Sequence, residues 1–274
     1  MILTEMLSYP FMQRALAAGL VLGALLAILG VFVVLRKMAF FGDGIAHSSL
    51  AGIALAVLFG WAPLPVALLW ALAVALVIWW LERSVRLPSD TLVGIFFTSS
   101  MAVGVLLMSL TAGYQPELLS FLFGNILSIQ SGDLVLTVVV AVGIAVWLAV
   151  AFRGLTYMSL AEDNAIVAGV NVRLQSALLY AALALATVLG VKAFGIVLVS
   201  ALLILPAATS RLVTRSFRGF IIVAVVLAEA TVIIGLALSY RLDLPSGAAI
   251  VSVGTGLFFL AAACRRLFPW RAAA

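Results

Sequence analysis

ALAAGLVLGALLAILGVFVVL, residues 15–35, carries no charged side chain and is bounded by Arg14 and Arg36. An α-helix needs roughly 20 such residues to cross the hydrocarbon core of a bilayer, so this stretch reads as a transmembrane span. Inside it, Gly19 and Gly23 form a GxxxG pair. That spacing lets helices approach closely in lipid, where the hydrophobic effect gives no drive for association. Working outward, comparable stretches recur at about residues 40–60, 62–82, 91–112, 133–152, 174–191, 195–213, 219–240 and 247–264. Ser100 and Gly104 repeat the small-residue spacing in the fourth.

Composition agrees with this reading along the whole chain. Of 274 residues, 66% are hydrophobic and 9% charged, with a mean hydropathy of +1.33, which leaves too little polar surface to coat a water-facing shell. The expectation is an all-α polytopic membrane protein with eight to nine transmembrane helices in a single domain, residues 1–274. Eight enters because residues 15–60 and 174–213 each hold two spans with tight connections. The N-terminal segment has an acid, Glu5, and lacks the basic start and small-residue cleavage site of a removed signal peptide. Cys264 is the lone cysteine, so no internal disulfide forms. The net charge of +5 comes from scattered residues with no basic run, which argues for topology and against a nucleic-acid partner. Threading nine spans with the N-terminus outside places 12 of the Lys and Arg residues in the cytoplasm and leaves only Arg14, Lys192 and Arg241 outside. The C-terminus is then cytoplasmic.

Few residues remain that can do chemistry. FFGDGIAHSSLAG, residues 40–52, opens the second span and holds Asp43 and the only histidine, His47. Four residues apart on a helix, a carboxylate and an imidazole project from one face, an arrangement suited to a borderline metal ion. The plainer alternative is that Asp43 caps the helix and His47 packs against a carbonyl. Glu229 falls near the middle of the eighth span, where an acid needs a partner, a proton or water, and it is a candidate third ligand or pathway charge. Pro206 in LLILPAATS removes a backbone donor and is expected to bend the seventh span. Between spans, residues 153–173 read as a cytoplasmic segment in which Ser159 caps a short helix, Glu162 and Asp163 occupy its first turn and Gly169 ends it. Such a helix is a natural docking element for a partner protein. Residues 113–132 contain SFLFGNIL, an apolar patch expected to dip into the membrane from outside. No GxxxxGK[ST] loop, nucleophile elbow or HExxH helix is present, so the chain neither hydrolyses ATP nor reads as an enzyme.

Taken together, RKMAFFGDGIAHSSLAGIALA, SDTLVGIFF, SFLFGNIL, GIVLVSALLILPAATSRL and SYRLDLPSGAAIV resemble, in order, the motifs of the integral-membrane permeases of bacterial zinc/manganese/iron ABC importers. The resemblance covers nearly the whole chain. It implies an ABC importer permease fold, a multi-pass location in the bacterial inner membrane, and a homodimer. Its implied partners are cytoplasmic ABC ATPase subunits and an extracytoplasmic metal-binding protein. It implies no permanently bound cofactor, only a transported divalent metal, with zinc first and manganese or iron as alternatives. Asp43 and His47 fall on the family's metal-binding Asp and His. Met158, Glu162, Asp163, Ala165 and Gly169 fall in the loop that engages the ATPase. Glu229 matches no motif of the family. The alternatives are an ABC permease for a metal chelate or vitamin, and a secondary metal transporter that needs no ATPase.

Overall fold

The computed structural model describes Met6, residues 8–110 and residues 131–267. The SFLFGNIL patch lies outside the described residues. In chain order the helices are α1 (Pro10–Leu35), α2 (Phe41–Phe59), α3 (Pro63–Val85), α4 (Ser89–Ser109), α5 (Ser131–Leu160), α6 (Glu162–Val167), α7 (Val172–Phe194), α8 (Ile196–Val213), α9 (Phe217–Leu242) and α10 (Ser246–Leu267). Among the described residues there is no strand, and every helix except α6 is long and apolar enough to cross a membrane, which gives nine spans rather than eight.

The tight connections are real, and local chemistry makes them possible. Pro10 and Pro63 start α1 and α3 where a missing N–H costs nothing. Gly60 ends α2 in the left-handed conformation, and Gly195, at φ +83°, alone separates α7 from α8. Asn171 Oδ1 accepts the backbone N–H of Leu174 to open α7.

Burial sorts the helices into an inner group and an outer group exposed on the surface of the chain. About two thirds or more of the most apolar windows of α1, α2 and α7 are buried within the chain, against 28% or less for α3, α4, α5 and α10. The least apolar of the nine, α2, with a mean hydropathy of 1.4, belongs to the inner group. Polar residues in a bilayer are tolerated where protein rather than lipid surrounds them, and α2 carries most of those that matter. It packs against α3, α4, α7 and α8, while α1 packs against α8 and α9, and α10 closes on α8 and α9.

Close approach depends on the small residues. A Cβ built on Gly19 would lie 2.7 Å from Val232 Cγ1 of α9, and one on Gly104 would lie 3.4 Å from the backbone of Ala51 in α2. Tightest is Gly30, where an added Cβ would overlap the backbone carbonyl oxygen of Leu203 in α8. A backbone atom cannot swing aside as a side-chain tip can. Gly30→Val is therefore expected to destabilise the bundle by about 3 kcal/mol, read as reduced folded protein in membranes and a lower Tm in detergent.

Candidate functional site

Asp43 sits in the first turn of α2, where the positive end of the helix favours a carboxylate. Residue 40 is the N-cap, and its side chain makes no capping bond. Of the plainer alternative, the cap is not made by the residue at the N-cap, whereas the bond of His47 to a carbonyl is present. His47 lies one turn on, and its Nδ1–H donates to the backbone carbonyl of Asp43 at 2.9 Å. The same nitrogen is 3.6 Å from Asp43 Oδ1. Because a carbonyl can only accept, Nδ1 holds the proton in the neutral ring and Nε2 is left with its lone pair, the form in which imidazole binds a metal. The ring is held edge-on by Phe97 of α4, with centroids 4.9 Å apart.

Ser200 of α8 completes the group by donating from Oγ to Asp43 Oδ1 at 3.2 Å. The side chains of His47 and Asp43 keep 23% and 42% of their surface, so both remain partly accessible from outside the chain. Ser48 and Ser49, next to the histidine, are buried and turn back on their own helix, donating to the carbonyls of Ile45 and Ala46. Ser200 and Phe97 were not singled out from the sequence. Ser200 lies within the GIVLVSALLILPAATSRL motif, but its partner is 157 residues away, and nothing in the local pattern shows that pairing.

Glu229 does not join this group. It sits on α9 facing α1, its Oε1 about one atomic contact (3.7 Å) from where a Cβ of Gly23 would stand, and this oxygen is buried without a hydrogen-bond partner among the described residues. No three His, Cys, Asp or Glu side chains among the described residues gather closely enough to hold one ion. Among the described residues of one chain Glu229 is not gathered with Asp43 and His47: α9 and α2 each pack on α8, which stands between them. Pro206 also points elsewhere. It stands inside an unbroken α8 and lines a small apolar crevice with Thr231 of α9 and Ile250 of α10.

The loop between the fifth and sixth spans is shorter than expected. α5 continues through residues 153–160, so Met158 is a buried residue of a long helix's last turn rather than part of a docking surface. Ser159 does not cap α6: Ala161 is the N-cap, without a side-chain bond. Glu162 and Asp163 do form the first turn, and Gly169 follows the helix at φ +78°, with its N–H donating to Ile166 O and that of Val170 to Ala165 O. Ala165 is fully buried and faces α5 and α7, whereas Ile166 and Val167 stand 60% and 89% exposed. Glu162 is tied to the end of α3 by Arg83, 3.4 Å away.

Nine apolar helices among the described residues, an imidazole–carboxylate–hydroxyl group between two of them, a short helix displaying apolar residues outside the spans and no phosphate-binding loop in the sequence define a multi-pass membrane permease. The profile of the ABC 3 transport family matches residues 8–265, and the chain belongs to that family. It is 35% identical over 259 residues to the manganese transport system membrane protein MntC of Listeria innocua, covering 94% of this chain and 92% of that one. It is 33% identical over 252 residues to the high-affinity zinc uptake system membrane protein ZnuB of Haemophilus influenzae, covering 92% and 97%. Among solved structures, PsaBC from Streptococcus pneumoniae in complex with Fab aligns with a TM-score of 0.82 at 30% identity, over 95% of this chain and 94% of that chain.

Proposed function

We propose that this chain is the translocation subunit of an ATP-driven importer that moves a divalent transition-metal ion, manganese or zinc, across the bacterial inner membrane into the cytoplasm. The observation that carries this reading is the pairing of Asp43 and His47, with Nε2 left free and Ser200 holding one carboxylate oxygen. Imidazole with carboxylate suits both ions, and the names of the relatives include both metals. Among the described residues of one chain no three such ligands gather, so two copies related by a two-fold axis supply the path with two His–Asp pairs. A partial set of this kind binds the ion only in passing.

Energy comes from a separate cytoplasmic ATPase, for which α6 is the docking element, and an extracytoplasmic binding protein delivers the ion. The exposed Ile166 and Val167 give the ATPase an apolar contact, and Arg83–Glu162 fixes α6 to α3. The C-terminus is cytoplasmic on the distribution of Lys and Arg.

The test is uptake of radioactive manganese and zinc into proteoliposomes holding the chain with its ATPase and binding protein. ATP-dependent uptake of either metal supports the reading and identifies the ion. Uptake that persists without the ATPase would replace it with a secondary transporter. Ser200→Ala, which frees the Asp43 carboxylate to rotate, is expected to weaken apparent metal affinity about tenfold, at unchanged membrane abundance.

A further inference from the structure

Away from the His–Asp group, a second polar cluster lies where α3, α4 and α7 meet, with Tyr180 and Ser89 buried and Glu82 half-buried. Tyr180 of α7 is fully buried, and its hydroxyl donates to Glu82 Oε2 at 2.5 Å. Ser89, the first residue of α4, donates to Glu82 Oε1 and lies 3.1 Å from the Tyr180 hydroxyl. The half-buried carboxylate of Glu82 accepts from both hydroxyls, and these bonds join the three helices in the arrangement seen. Both ends of it are connected. Arg83, next to Glu82, binds Glu162 of α6. The ring of Tyr180 meets Phe41 edge-to-face at a centroid distance of 5.0 Å. Phe41 is fully buried and opens α2, two residues before Asp43.

We infer that Glu82, Ser89 and Tyr180 are positioning residues that transmit movement of α6 to the start of α2, and so set the placement of Asp43 and His47 in each state of the transport cycle. The inference rests on the metal-importer reading above. The path is short: Glu162 to Arg83 across an ion pair, Glu82 to Tyr180 across a hydrogen bond, and Tyr180 to Phe41 across a ring contact. A displacement of α6 pulls the end of α3. The carboxylate then either carries Tyr180 with it or loses a part-buried hydrogen bond. A network of two alternative arrangements, each favoured by one position of α6, is the physical form that such coupling takes.

The experiment measures metal ions moved per ATP hydrolysed by the reconstituted complex. Tyr180→Phe keeps the ring against Phe41 and removes only the hydroxyl. It is expected to lower the ratio roughly tenfold, the weight of one buried hydrogen bond to a charged group, while ATP hydrolysis and membrane abundance persist. Glu82→Leu should do the same. Glu82→Gln should restore the ratio, because its carbonyl accepts from Tyr180 while its amide donates to Ser89. Ser89→Ala is the milder variant to use should Tyr180→Phe reduce folded protein, and it should shift the ratio in the same direction. Variants that transport with the ratio of the unsubstituted protein, or that only reduce abundance without changing the ratio, would overturn the inference. Failure of the unsubstituted complex to move manganese or zinc would instead count against the importer reading.

Discussion

His47→Ala is expected to reduce metal uptake per folded molecule by roughly a hundredfold or more, since even residues that merely support a metal ligand cost 10–100-fold when lost. The histidine is the only one in the chain, so no second imidazole can take its place. Its Nδ1 is committed to the Asp43 carbonyl and its ring to Phe97, which leaves Nε2 as the one atom free to serve the ion. Alanine removes the ring contact as well, so His47→Phe is the matched variant: it retains an aromatic ring beside Phe97 and lacks the nitrogen. Both should assemble with the ATPase and fail in uptake. If His47→Phe transports normally per molecule in the membrane, the histidine is a packing residue and the ion passes elsewhere.

Ala165→Trp is expected to separate ATP hydrolysis from transport almost completely. Ala165 is the one buried residue of α6, wedged against α5 and α7. A large ring there costs about 1–3 kcal/mol in overpacking, more than six residues of helix held mainly by this contact and one half-exposed ion pair can absorb. The helix should leave its seat while the nine spans insert as before. Membrane abundance should stay near that of the unsubstituted protein, and ATP-driven uptake should fall to background. Cysteines for crosslinking to the ATPase belong at Ile166 and Val167, which face outward, and not at Ala165. Normal uptake by Ala165→Trp would mean that the ATPase is engaged by another segment.

Some of this was open to reading along the chain, because it depends on local chemistry or on the bilayer. Spans are visible since lipid admits only runs that satisfy their own backbone and expose apolar side chains, and the nine placed by hydropathy are the nine helices found. The GxxxG of Gly19 and Gly23 signals close approach wherever it occurs in such a run, although the partner helix, α9, is not in the motif. Asp43 and His47 are four residues apart on one helix, so their common face follows from the helical period alone. The end of α5 is not legible in this way: Arg153 reads as the close of the span, whereas a helix runs on beyond the bilayer for as long as its backbone bonds continue.

The sequence by itself thus determined the class of protein, a count of eight to nine spans and the His–Asp pair, all of which rest on interactions within a few residues or with the lipid; the structure decided for nine. Only the tertiary structure decided which helix lies against which. That arrangement brings Ser200 to Asp43, places Glu229 against α1 away from them, turns Ala165 inward, and joins Glu82, Ser89 and Tyr180 into one cluster. The hydrogen bonds among these residues join positions 7 to 157 apart, and they form because helix packing brings their side chains into reach of one another, a condition that no local pattern of residues encodes.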